Sequence, residues 1–161
     1  MPHDKKPNKI TVICTANICR SPLGERLLAQ ALEKEKGALR QFQVVSAGVA
    51  AAPGNSASNF SVDVLKGEGI DLSDHRSQPL TQQLVDESLF IFGMTQSHLD
   101  IVDAIFNTRE GQVRLFREFV GPGKNPELPD PFGGNLILYK QTLDAVKEAI
   151  PSLVEHIQKH A

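Results

Sequence analysis

Strand-like and helix-like segments alternate along the chain, which predicts an α/β fold: a four-stranded parallel sheet with helices on both faces. Three observations carry this. Short apolar or β-branched runs recur between amphipathic stretches with 3.6-residue spacing. One run, LFIFG at 89–93, is apolar throughout, as suits a strand covered on both faces. A last amphipathic stretch closes the chain with Leu143, Val146, Ile150, Leu153 and Ile157 in register.

Taken in order, residues 1–9 read as a flexible tail and residues 10–161 as a single domain. Ile10 to Cys14 forms the first strand, and Pro22 to Lys36 the first helix, with Leu23, Leu27, Leu28, Ala31 and Leu32 on one face. Ser21 suits its N-cap and Pro22 its first turn. Phe42 to Ser46 is the second strand, Ser56 to Lys66 a helix stopped near Gly67, and 67–80 a polar connector. After the third strand, Thr95 or Ser97 caps a helix with Leu99, Val102, Ile105 and Phe106 on one side. Gln112 to Phe116 is the fourth strand, Val120 to Gly134 a long loop, and Leu138 to His160 a helix that Pro151 kinks or restarts. Phe60, Phe90 and Phe92 are expected in the core.

The chemistry concentrates where the first strand meets the first helix. A loop before a helix N-terminus presents unpaired N–H groups and the positive end of the helix dipole, which is an anion site. Into it the sequence places Cys14 and, six residues on, Arg20. A thiol beside a helix N-terminus and an arginine is expected to ionise readily. The guanidinium fork matches two oxygens of a phosphate. Alone, Cys14 would read as a small hydrophobe ending a buried strand. Together with Arg20, Ser21 and Pro22 it reads as a thiolate nucleophile in a phosphate-binding loop.

Composition excludes several other classes. The chain has a formal net charge of −2, with 40% hydrophobic and 22% charged residues, and no basic face interleaved with aromatics, so no nucleic-acid partner is expected. Two cysteines, no long apolar span and an N-terminus without an apolar core point to a cytoplasmic protein with no membrane partner. No ligand-spaced His and Cys cluster is present, so neither a metal nor another cofactor is expected.

The stretch CTANICRSP at 14–22 resembles the phosphate-binding loop of the low-molecular-weight protein tyrosine phosphatases, C-x-G-N-x-C-R-S/T. The likeness runs from about Lys9 to His160 and implies a metal-free phosphomonoesterase working through a phosphocysteine intermediate on phosphorylated proteins. It implies Cys14 as nucleophile, Arg20 as phosphate binder and Ser21 as the hydroxyl bonded to the thiolate, with the loop residues Thr15, Ala16, Asn17, Ile18 and Cys19 around the phosphate. Ala16 stands where the family has Gly, and a positive φ there would cost about 1–2 kcal/mol. Asp130, in a DP-aromatic loop before the last helix, matches the family's general acid and base, and Phe132 beside it lines the substrate slot or raises the carboxyl's pKa. Ser46 and His75 match positions that tie down the loop through Asn17. Cys19 either packs under the loop or joins Cys14 in a disulfide on oxidation.

Ile18, Ala50 and Phe132 are expected around the leaving group. SAGV, the H-x-S-Q-P-L-T connector and DPFGG with YKQT resemble the bacterial protein-arginine phosphatase branch, which carries Thr where this chain has Ile18. Ile18 favours phosphotyrosine; phosphoarginine is the alternative, and a metabolite phosphatase remains open. An arsenate reductase would need further cysteines after Cys19, and a non-catalytic binding module would lack Cys14 or Asp130.

Overall fold

The computed structural model describes residues 6–161. Four parallel strands, β1 (Lys9–Cys14), β2 (Gln43–Gly48), β3 (Ser88–Gly93) and β4 (Val113–Leu115), lie in the order β2-β1-β3-β4. The helices are α1 (Arg20–Glu33), α2 (Asn59–Lys66), α3 (Gln82–Glu87), α4 (Gln96–Ile105) and α5 (Leu136–His160), with a 3₁₀ turn at Gly37–Gln41.

Side chains alternate across the central strand, and so two cores form. Ile10 and Val12 face one side, with Phe90 and Phe92, under Leu23, Leu28 and Leu32 of α1, Leu65 of α2 and Val146, Leu153 and Ile157 of α5. Ile13 and Ile91 face the other, under Leu84 and Val85 of α3 and Val102 of α4. The parallel sheet is thus covered on both faces, and its strands read as near-continuous apolar runs for that reason. No described helix is long and apolar enough to cross a membrane.

Several expectations need correction. The tail falls outside the described residues for 1–5, and its last residue, Lys9, is already in β1, where it pairs with Gln43 and its ammonium meets Glu87. The helix α3 lies between the connector at 67–80 and the strand run at 89–93, where no helix is expected; Thr81 caps it by accepting from Leu84 N–H, a signal carried by a short Thr-x-x pattern. Helix α1 starts at Arg20 rather than Pro22, so Pro22 is its third residue, still within the turn whose N–H groups have no intrahelical acceptor. Helix α5 runs through Pro151 without restarting. Ile105 is 65% exposed and Phe60 37% exposed, so neither belongs to the core; Phe60 lies instead against the Tyr139 ring, 5.2 Å between centroids.

These positions separate under substitution. Phe92 is fully buried between Phe90 and Phe116. Phe92→Ala is expected to cost about 3–5 kcal/mol, and Phe60→Ala about 1 kcal/mol. Urea denaturation midpoints, compared at equal m-value, measure both.

Candidate active site

The loop between β1 and α1 is shaped by where its carbonyls go. Cys14 O accepts from Val49 N–H at 3.0 Å and Thr15 O from Ala50 N–H at 2.9 Å. Asn17 O accepts from His75 Nε2 at 2.7 Å, which fixes the hydrogen on that nitrogen. Ile18 O accepts from Ser58 N–H at 2.8 Å and Cys19 O from the Ser61 hydroxyl at 3.0 Å. In a trans peptide the N–H points opposite to the C=O. Carbonyls drawn outward therefore turn the following amides inward, to a common centre at the N-terminus of α1. The loop is a nest of donors.

Asn17 is the strut beneath. It is buried and adopts φ +60°, among the described non-glycine residues the one case of positive φ. Asn tolerates this conformation better than most residues. Ala16 is not at positive φ, so the family's Gly is replaced there without the expected strain. The Asn17 amide accepts from Gln78 N–H at 3.0 Å and donates to Ser21 Oγ at 2.7 Å. The Ser21 hydroxyl also lies 3.0 Å from Cys14 Sγ, and toward a thiolate it is the donor. Ser21 is thus not a helix cap; its hydroxyl is engaged at the sulfur. Gly48 flanks the loop so closely that a Cβ there would lie 2.5 Å from Thr15 O.

Arg20 is almost fully buried. Nη1 donates to Leu128 O at 3.0 Å and Nη2 to Thr15 Oγ1 at 3.4 Å, while buried Nε has no protein partner. Leaving such a donor unpaired is costly, and a phosphate oxygen would satisfy it. Asp130 stands opposite, half-exposed, with Oδ2 3.8 Å from Arg20 Nη2. Its Oδ1 accepts from Phe132 N–H at 3.0 Å, an Asx turn followed by Gly133 at φ +82°. This acid loop is held by Leu128 N–H on Met94 O at 2.8 Å and by Glu127, which accepts from Gln96 N–H at 2.6 Å at the start of α4.

Cys14 and Arg20 form the floor of a pocket of about 330 Å³, with Thr15, Ala16, Ile18 and Phe132 as walls and Asp130 at the rim. Phe132 is 71% exposed and offers an open ring face to an entering group. Two expected residues lie elsewhere. Ala50 is exposed and does not line the pocket; its N–H holds Thr15 O. The Ser46 hydroxyl does not reach the loop but donates to Glu25 at 2.6 Å, because Gln78 and His75 already occupy the Asn17 backbone and side-chain acceptors. Gln78 is the residue the sequence reading missed. It lies in the connector HRSQPL, and its side chain donates to Ser46 O at 2.9 Å, linking β2 to the loop strut.

Cys19 is buried beneath the loop, its sulfur 3.4 Å from the Tyr139 hydroxyl, and both cysteines are free thiols. Burial pushes the Cys19 thiol above its ordinary pKa. Among the described residues no cluster suited to a metal ion occurs. The loop, its buried arginine and the facing carboxylate thus gather inward-turned donors, a thiol and a carboxyl group around one pocket.

Comparison with known proteins places the chain. The family model for low molecular weight phosphotyrosine protein phosphatase matches residues 9–161, and the chain belongs to that family. It is 35% identical over 150 residues to a protein-arginine-phosphatase of Bacillus subtilis, covering 93% of this chain and 97% of that one. It is 36% identical over 149 residues to AmsI of Erwinia amylovora, a probable low molecular weight protein-tyrosine-phosphatase, covering 92% and 91%. The crystal structure of the Erwinia amylovora enzyme superposes with a TM-score of 0.82 at 31% identity, over 95% of each chain. The arginine phosphatase of Geobacillus stearothermophilus gives 0.82 at 33% identity, over 96% and 95%. The protein is a phosphomonoester hydrolase of this type.

One buried titratable group flanks the pocket. His98 Nδ1 accepts from Thr95 N–H at 3.2 Å, closing a capping box at α4. Burial, and secondarily the Arg20 charge, push its pKa from 6.5 down to about 4. The unfolded chain therefore binds a proton near pH 6.5 that the folded protein refuses until about pH 4. Stability from this group is complete above pH 6.5 and falls as pH drops toward 4, by on the order of 3 kcal/mol. Urea denaturation across this range should show that fall, and His98→Gln, which cannot titrate, should lack this portion of it.

Proposed function

We propose that the protein hydrolyses phosphotyrosine in phosphorylated proteins through a phosphocysteine intermediate, in a cytoplasm where its thiols stay reduced. The single observation that carries this reading is the buried Arg20, its Nε unpaired, lining one pocket with Cys14. The amides and Arg20 bind the phosphoryl oxygens of the monoester. Cys14 Sγ, receiving a hydrogen bond from Ser21, attacks phosphorus in line with the ester oxygen. The P–O bond breaks as Asp130 gives its proton to the departing phenolic oxygen. A water molecule then attacks phosphorus, Asp130 takes its proton, the S–P bond breaks, and phosphate leaves with the thiolate restored. Arg20 and the amides meet the charge on the equatorial oxygens in both steps.

Cys14→Ser is expected to abolish turnover while inorganic phosphate still binds, because the amides and Arg20 remain. Asp130→Asn should slow phosphotyrosine peptide hydrolysis by roughly 10²–10⁴, and much less for an aryl phosphate whose leaving group needs no proton. Steady-state kinetics on the two substrates decide this; equal losses would remove Asp130 from the acid role.

A second reading, phosphoarginine hydrolysis, is favoured by the likeness to two arginine phosphatases that cover nearly the whole chain. The pocket walls argue against it. Ile18 and the exposed Phe132 ring suit a flat apolar group, and Ile18 leaves the N–H groups of a guanidinium unpaired. Phosphotyrosine peptides are therefore expected to have the higher kcat/KM in a side-by-side assay, and Ile18→Thr to shift the ratio toward phosphoarginine. A wild-type preference for phosphoarginine would make the second reading the correct one.

A further inference from the structure

The steps above leave the Thr15 hydroxyl, which lines the pocket, without a task. Thr15 is exposed and lines the pocket wall. Its Oγ1 lies 3.0 Å from His98 Nε2 and accepts from Arg20 Nη2 at 3.4 Å. The far side of the ring settles the direction of the first bond. His98 Nδ1 accepts from Thr95 N–H, so in the neutral ring Nε2 carries the hydrogen and donates to Thr15. A hydroxyl has two lone pairs and one hydrogen. Here both lone pairs receive donors, and the hydrogen is left to be given away.

We propose that Thr15 is a substrate-contacting donor whose hydroxyl is aimed at a non-bridging oxygen of the bound phosphoryl group, with His98 as the positioning residue acting through it. This rests on the phosphatase reading of the site. The geometry favours the phosphoryl group as acceptor. Thr15 shares a hydrogen bond with Arg20, whose free edge faces the same anion, and the neighbouring walls Ala16, Ile18 and Phe132 carry no side-chain acceptor. Asp130 and Cys14 are the other acceptors nearby, but Asp130 Oδ2 faces Arg20 and must carry the leaving group's proton, and Cys14 Sγ is paired with Ser21 and must attack phosphorus. His98 thereby couples the start of α4 to the phosphate pocket. Its capping bond sets the tautomer, the tautomer makes Nε2 a donor, and that donor leaves Thr15 able only to give its hydrogen to the ligand.

Thr15→Val keeps the β-branched shape and removes the hydroxyl. Inorganic phosphate, titrated by calorimetry and as a competitive inhibitor, is expected to bind roughly 10–100-fold more weakly to this variant. The kcat/KM for aryl phosphates should fall by a similar factor whatever the basicity of the leaving phenol. Thr15→Ser should recover most of the loss. His98→Leu should weaken phosphate binding in the wild-type background and add nothing in Thr15→Val. His98→Gln should recover most of what His98→Leu loses, since its carbonyl serves Thr95 N–H and its amide N–H serves Thr15. Phosphate affinity unchanged in Thr15→Val, with the wild type still binding phosphate, overturns this inference and leaves the phosphatase reading standing. A loss that grows with leaving-group basicity also overturns it, because the hydroxyl would then act on Asp130. Additive losses in the double variant overturn the role of His98. A wild-type protein that binds no phosphate overturns this inference and the phosphatase reading together.

Discussion

The site depends on one constraint: the carbonyls of residues 14, 15, 17, 18 and 19 are all bonded to groups outside the loop. A short loop cannot satisfy its own backbone, and a buried unpaired carbonyl is costly. Each outward bond therefore stabilises the loop and, through the rigid trans peptide, sets the direction of the next amide. Binding of an anion requires no rearrangement of these donors. The conformational cost of gathering them is met when the chain folds, which is what preorganisation means in physical terms.

The partners of those carbonyls come from far along the chain: Val49 and Ala50 after β2, Ser58 and Ser61 at α2, and His75 in the connector, where Gln78 N–H also holds the Asn17 side chain. Gly48 and Pro79 meet in an isolated bridge that brings the connector alongside β2. The sheet supplies the fixed distances, since β1 pairs with β2 from Lys9 through Cys14 and thus places residues 49 and 50 beside the loop. The acid loop is held separately, by Met94 after β3, by the first turn of α4, and by buried Arg117, which donates to Asn125 O at 2.9 Å and Ala145 O at 2.6 Å. Cys14 and Asp130 therefore belong to independently braced segments that meet at Arg20.

This division explains what was legible in the sequence. The Cys14–Ser21 stretch is local, so its chemistry could be read from adjacent residue types, and the alternation of apolar runs revealed the layers because each strand of a parallel sheet is covered twice. Long-range bracing left weaker traces. Gln78 in a polar turn carries no periodicity, and its role exists only because Pro79 sits against Gly48. Ser46 was read toward Asn17 although strand alternation alone leaves its face undecided, and the structure turns it to Glu25 on α1. The helix α3 spans six residues, Gln82–Glu87, too short for a helical period to stand out. Phe60 and Ile105 look like core in any hydrophobic pattern; their exposure reflects helix faces that the tertiary packing leaves uncovered.

On the proposed reading, grip on the phosphoryl group and choice of the leaving group fall to different atoms. The grip is then backbone amide, Arg20 and the proposed Thr15 donor, fixed by the frame and indifferent to side-chain identity at most other loop positions. On that reading the leaving group meets only side chains: Ile18, Phe132 and the Asp130 carboxyl, all projecting from loops. Such positions can be exchanged without disturbing an outward carbonyl, so selectivity is free to change while phosphate binding is retained. Relatives described as tyrosine and as arginine phosphatases superpose on this chain equally well, with a TM-score of 0.82 in each case. The backbone fold is thus common to relatives of both kinds. The fold therefore speaks for phosphate, and only the wall residues speak for what the phosphate is attached to.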